Sequence, residues 1–116
     1  MSPSADLSSL NRFFDVVGLS GAVYRFQRID DPMQLPARAG NFLIARPSHD
    51  GDQVVCCGRA LRLREAESVW RAAFEEHQGA AMFVRLNVAR ARRVSEHEDI
   101  VAHHRPALVV SEFDLN

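Results

Sequence analysis

Apolar positions along the chain change their period several times, and each change marks an element. Leu10, Phe13, Phe14 and Val17 recur at helical spacing, after Ser4, which suits a helix N-cap, and before Gly18, which suits a helix end. This spacing predicts a short opening helix. From Ala22 to Arg28 the period drops to two, with Tyr24 and Phe26 on one side and Val23, Arg25 and Gln27 on the other, the pattern of a half-buried strand. Asp30, Asp31 and Pro32 end that strand. Pro32 and Pro36 make the stretch to Ala39 an irregular connection, because proline lacks the amide donor a strand interior needs.

Two β-prone runs follow, Gly40 to Arg46 and Gln53 to Cys57, separated by a segment containing Asp50 and Gly51. Those two residues tolerate a tight turn, so the pair predicts a hairpin closed by Gly58. Downstream, Ala66, Val69, Trp70, Ala73, Phe74 and His77 fall on one helical face, with Glu65, Arg71, Glu75 and Glu76 mostly opposite, and Gly79 terminates the segment. Ala80 to Leu86 reads as a strand. A last helix spans Ala89 to His104, with Val94, His97, Ile100, Val101 and His104 near one stripe and Pro106 forbidding continuation. The expected architecture is an α+β layer structure: a small, mainly antiparallel sheet of three to four strands, flanked by helices that return over one face.

Composition changes this picture in only a few places. With 47% hydrophobic and 25% charged residues, 116 positions describe one soluble globular domain. Two cysteines exclude a disulfide scaffold, and apolar runs such as Ala80 to Val84 are far shorter than the ~20 residues of a membrane span. The first residues carry no basic and then apolar pattern of a secretory signal, so the expected compartment is the cytoplasm. Fourteen cations face fifteen anions, which removes the argument from net charge for a nucleic-acid partner. All fourteen cations are arginine.

The arginines nevertheless form two local groups: Arg59, Arg62 and Arg64 at the start of the first long helix, and Arg85, Arg90, Arg92 and Arg93 leading into the last one, in a stretch from Gln78 to Ser95 that no acid interrupts. Facing one way, they make an anion-binding surface whose affinity falls with salt; paired with Glu65, Glu67, Glu96 or Glu98, they are a solvated helix face. Cys56-Cys57 and His103-His104 are not chelating pairs. Neighbours on a strand point to opposite faces, and neighbours on a helix diverge by about 100°.

The ordered run of Gly40-Asn41-Phe42, then Val55-Cys56-Cys57-Gly58 after a hairpin, a helix, the strand from Gly79, and the segment from Glu96 to Leu108 with its Pro106 resembles the GIY-YIG nuclease superfamily over about two-thirds of the chain. The resemblance divides the single domain into an N-terminal extension (1–39), a GIY-YIG-like core (40–108) and a tail (109–116). It implies a compact three-stranded antiparallel sheet flanked by helices. It also implies a site of two tyrosines, an arginine, a metal-binding glutamate and often an asparagine, which cuts phosphodiester bonds with one divalent ion.

At the matching positions this chain has Phe42 and Cys56 for the tyrosines, Ala66 for the arginine, His97 for the glutamate and Val109 for the asparagine. The chemistry needs a carboxylate for the metal, a cation for the phosphate and a phenol for the nucleophile, and residues acting as one unit are not replaced by near misses. The expectation is therefore a non-catalytic GIY-YIG-like binding module without a cofactor, and with no membrane partner. A protein partner or self-association is favoured by the apolar replacements, with nucleic acid as an alternative partner. A second class is a divergent metal-dependent nuclease using magnesium, with Glu96 or Glu98 as metal ligand and Arg62, Arg64 or His97 in rearranged roles. A third is a structural subunit with no site.

Overall fold

Among the residues that the computed structural model describes, 12–49 and 51–115, six strands and two helices follow one another. They are β1 (Phe13–Val17), β2 (Val23–Ile29), β3 (Gly40–Ser48), β4 (Gly51–Ala60), α1 (Glu67–Glu76), β5 (Ala81–Leu86), α2 (Arg90–His104) and β6 (Leu108–Val110). The protein is α+β, with one mixed, curled sheet in the order β1-β2-β5-β3-β4-β6. Every neighbouring pair is antiparallel except β4 and β6, which run parallel. No helix among the described residues is long and apolar enough to cross a membrane.

Three expectations are corrected. The opening helix is a strand from Phe13 onward, and its Ser4 to Leu10 part lies outside the described residues. Phe13, Phe14 and Val17 satisfy a helical stripe, but Phe14 and Val16 also alternate with exposed Phe13, Asp15 and Val17. Pairing with β2 from Phe13↔Gln27 to Val17↔Val23 selects the period of two. The sheet has six strands rather than three to four, because β1 extends one side and β6 the other. Finally, the helices cover opposite faces of the sheet, not one.

That last arrangement follows from alternation along β3, which is buried continuously from Gly40 to Ala45. Phe42 and Ile44 join Cys56, Met82, Leu63, Ala66, Trp70 and Ala73 in a cluster under α1. Leu43 and Ala45 join Val16, Phe26, Cys57, Phe83 and Ile100 in a second cluster under α2. A strand buried on both faces reads as an unbroken apolar run, and Phe42 to Ala45 is one. A bulge between Ile44 and Ala45 shifts the β3–β4 register by one residue, so that Ile44 faces Cys56 while Ala45 faces Val54. The hairpin turns at Gly51, whose φ of 104° lies in the left-handed region that glycine enters without strain.

α1 spans the expected face: Trp70 and Ala73 are buried, Val69 is half-buried, and only Phe74 turns out to solvent. α2 buries Arg93, His97 and Ile100 along its stripe and ends at Arg105, in the left-handed region, ahead of Pro106. Beyond Leu108 the chain is ordered as β6 and a 3-10 turn over Glu112–Leu115.

Candidate functional site

The densest polar constellation lies on the α2 side, at the end of the sheet where β3 starts. Register places Asn41 between Arg85 of β5 and Arg59 of β4, so that three polar side chains form a row across the central strands. Over that row pass the first turns of α2, carrying Arg93, Glu96 and His97, and the C-terminal turn, carrying Glu112. Asn41, Asn87, Arg93, His97 and Glu112 are all buried.

Each carboxylate in this cluster is held by guanidinium or amide groups. Arg85 Nε donates to Glu96 Oε1 at 2.8 Å, and Asn87 Nδ2 donates to the same oxygen at 2.9 Å. Asn87 Nδ2 also donates to Asn41 Oδ1 at 2.9 Å, while Asn41 Nδ2 donates to the Arg93 carbonyl at 2.9 Å. Arg93 Nη1 bonds the carbonyls of Asn87 and Val88, and its Nη2 reaches Glu112 Oε2 at 3.3 Å. Arg59 Nη1 donates to Glu112 Oε1 at 2.5 Å. Thus the loop after β5, the helix and the C-terminal turn are tied to the sheet by one network. The Nε atoms of Arg59 and Arg93 are buried without a partner.

Electrostatics in the cluster follow from burial and these partners. Burial pushes the Glu112 carboxyl up, but the hydrogen bonds and charges of Arg93 and Arg59 outweigh it and hold the group below its ordinary range. His97 moves the other way from a cation: burial, then the Arg59 charge, lower its pKa, with Glu98, the Gly58 backbone and Glu112 opposing. It lines, together with Phe26, Asn41, Phe42, Leu43, Cys57, Gly58 and Ile100, a space too tight for a water molecule.

The five positions carried over from the resemblance do not all converge on one point. Phe42, Cys56 and Ala66 meet in the cluster under α1, at 1%, 1% and 0% exposure. The Phe42 ring lies across Gly58, its partner on β4, where a Cβ would run into ring atoms. His97 is carried by α2, on the side of the sheet away from α1, where it shares a tight space with Phe42 and Gly58 but not with Cys56 or Ala66, and Val109 is exposed on edge strand β6. Burial raises the thiols of Cys56 and Cys57 to about 12, so neither is a nucleophile at neutral pH.

The divalent ion that the resemblance implies does not fit these residues. Glu96 is engaged by Arg85 and Asn87, Glu98 is exposed two residues along the helix, and His97 faces the apolar space between them. Among the described residues no three His, Cys, Asp or Glu side chains come together to hold a metal.

The two arginine groups are each divided by the fold. Arg59 and Arg93 turn inward to Glu112, whereas Arg62, Arg64, Arg90 and Arg92 are exposed. Asn87 and Glu112 have no place in the sequence reading, Asn41 enters it only within the Gly40-Asn41-Phe42 run, and Arg85 only as a member of the second arginine group. Asn41 carries a signal, as a lone polar residue in a run otherwise apolar enough to be buried on both faces. Glu112 carries none, because its partner Arg59 lies 53 positions away. A scan against protein families, a search of the curated proteins and a search of the solved structures return no match to this chain.

Proposed function

We propose that this chain is a binding module on a GIY-YIG-like scaffold, performing no catalysis of its own and engaging a protein partner. One observation carries the reading. Phe42, Cys56 and Ala66, where the resemblance requires tyrosine, tyrosine and arginine, are sealed between the sheet and α1, while His97 reaches in from α2 on the other side and of the three borders Phe42 alone, in a space too tight for a water molecule. Metal-assisted phosphodiester cleavage needs a metal ligand, a phosphate-binding cation and a positioned nucleophile around one point that substrate can reach. Here the corresponding positions serve packing. The polar groups of the α2 side serve it as well, since their hydrogen bonds join helix, loop and C-terminal turn to the sheet. What remains available to a partner is the exposed surface.

The test is a magnesium and manganese titration with single- and double-stranded DNA and RNA, run beside a Glu96→Gln/Glu98→Gln variant that melts at a temperature close to the parent's. The expected result is that parent and variant leave all substrates equally intact. Metal-dependent cleavage by the parent that the variant lacks overturns the reading in favour of a divergent nuclease.

A further inference from the structure

Resting on the binding-module reading, we infer that the end of the sheet where β3 starts and β4 and β5 finish is a docking surface for an acidic protein segment carrying aliphatic side chains. Register makes this end one rim. Gly40 pairs with Ala60 on one side and with Leu86 on the other, so the chain leaving β4 and the chain leaving β5 flank the segment that enters β3. Backbone bonds then stitch the three together: Leu63 N–H to the Arg38 carbonyl at 2.9 Å, Arg64 N–H to that of Pro36 at 2.9 Å, and Asn87 N–H to that of Ala39 at 3.0 Å. The fork of Arg93 adds the C-terminal turn, by holding Glu112 together with the carbonyls of Asn87 and Val88.

The rim presents unbalanced positive charge. Arg62 and Arg64 leave β4, Arg90 and Arg92 open α2, all four are exposed, and none forms an ion pair with another described residue. Of the nearby carboxylates, Glu96 is engaged by Arg85, Glu112 by Arg59 and Arg93, Glu67 by Arg71 and Asp114 by Ser111, which leaves Glu65, beside Arg64, as one acid against the four arginines. A chain of near-zero net charge thus carries a local cationic pole, which attracts and orients an anionic partner.

The same rim exposes large apolar side chains, and these decide which anion fits. Leu61 is 51% exposed and Val88 62%, next to the arginines in sequence, and Phe113 is 70% exposed on the turn that Glu112 anchors. A nucleic-acid backbone answers the guanidiniums but gives the aliphatic groups nothing, and a single aromatic ring is a small stacking platform. An acidic peptide with leucine or phenylalanine between its carboxylates answers both. The buried network beneath holds the rim in place before binding, which lowers the ordering cost of docking.

The experiment is fluorescence anisotropy with a short labelled peptide alternating Asp or Glu with Leu and Phe, titrated with the full chain at low and physiological salt. Comparison probes are the same peptide with serine at its apolar positions and a short single-stranded oligonucleotide. The expected result is saturable binding of the acidic-apolar peptide, weakened about tenfold by Arg62→Glu/Arg90→Glu and about tenfold by the serine replacements. Absence of saturable binding, or equal binding by the charge-reversed variant with an unchanged melting curve, overturns the inference. So does tighter binding of the oligonucleotide, which assigns the rim to nucleic acid. None of these outcomes touches the non-catalytic reading, which stands or falls separately on the cleavage comparison.

Discussion

Arg93 on α2 and Glu112 on the C-terminal turn meet at 3.3 Å with both side chains buried, and Arg59 closes on the same carboxylate from β4. The pair joins helix, turn and sheet at one point, with two guanidiniums sharing one anion. Glu112→Gln keeps the shape and removes the charge, leaving buried Arg93 and half-buried Arg59 uncompensated. Urea unfolding should show a loss of about 3 kcal/mol, the usual scale for breaking a buried ion pair from one side. A change within a few tenths would mean that the cluster contributes nothing to stability.

Gly58 and Phe42 form a second tight relationship, because the ring occupies the space a Cβ on Gly58 would need. Gly58→Ala should cost about 1–3 kcal/mol through overpacking. In a Phe42→Leu background, where the smaller side chain makes room, the same change should cost measurably less. A double-mutant cycle in thermal unfolding reads the coupling, and strict additivity of the two changes would place the ring elsewhere.

Stability should fall in two steps as pH is lowered. The folded pKa of His97 is depressed by burial and by Arg59 below its ordinary 6.5, so the unfolded chain takes up the proton first. This contribution is complete above 6.5 and is lost as pH falls from there toward the folded value. His104 moves in the same direction, lowered by burial and then by His103, with its bond to the Val17 carbonyl opposing. Glu112 acts later: held below its ordinary 4.5, its contribution is present above that value and disappears as pH falls through the folded pKa. His97→Gln should flatten the upper part of a midpoint-against-pH curve and leave the acid limb in place. An unchanged upper part would exclude His97 as its source.

The cysteines should be silent in the folded protein. Both are buried, at 1% and 2% exposure, and burial raises their thiols to about 12. A thiol-reactive chromogenic disulfide at mildly alkaline pH should label neither in native buffer and both in concentrated guanidinium. Rapid native labelling of either would place it at an accessible surface.

Much of this fold is legible in the order of residues. The alternation of Tyr24 and Phe26, the hairpin signal at Asp50-Gly51, the stripe of Trp70 and Ala73 and the stop at Pro106 all mark elements that local chemistry is sufficient to specify. Phe13 to Val17 is different, because its apolar positions fit both periods, and pairing with β2 settles the choice. β6 is three residues long and exists through its parallel partner β4, so no local pattern announces it. The sites divide in the same way. Phe42, Cys56, Ala66, His97 and Val109 can be counted along the chain, but which face each one meets depends on the alternation of β3 and β4 and on α1 and α2 covering opposite sides.

The arginines make the physical reason plain. Residue order determines that there are fourteen, without a lysine, that some of them gather in two groups, and that fifteen acids offset them. Only the tertiary structure separates Arg59 and Arg93, drawn inward by Glu112, from Arg62, Arg64, Arg90 and Arg92 at the surface. Charge in a sequence is a sum, whereas partnership depends on contacts between positions far apart, and those exist only once the C-terminal turn has folded back over the sheet.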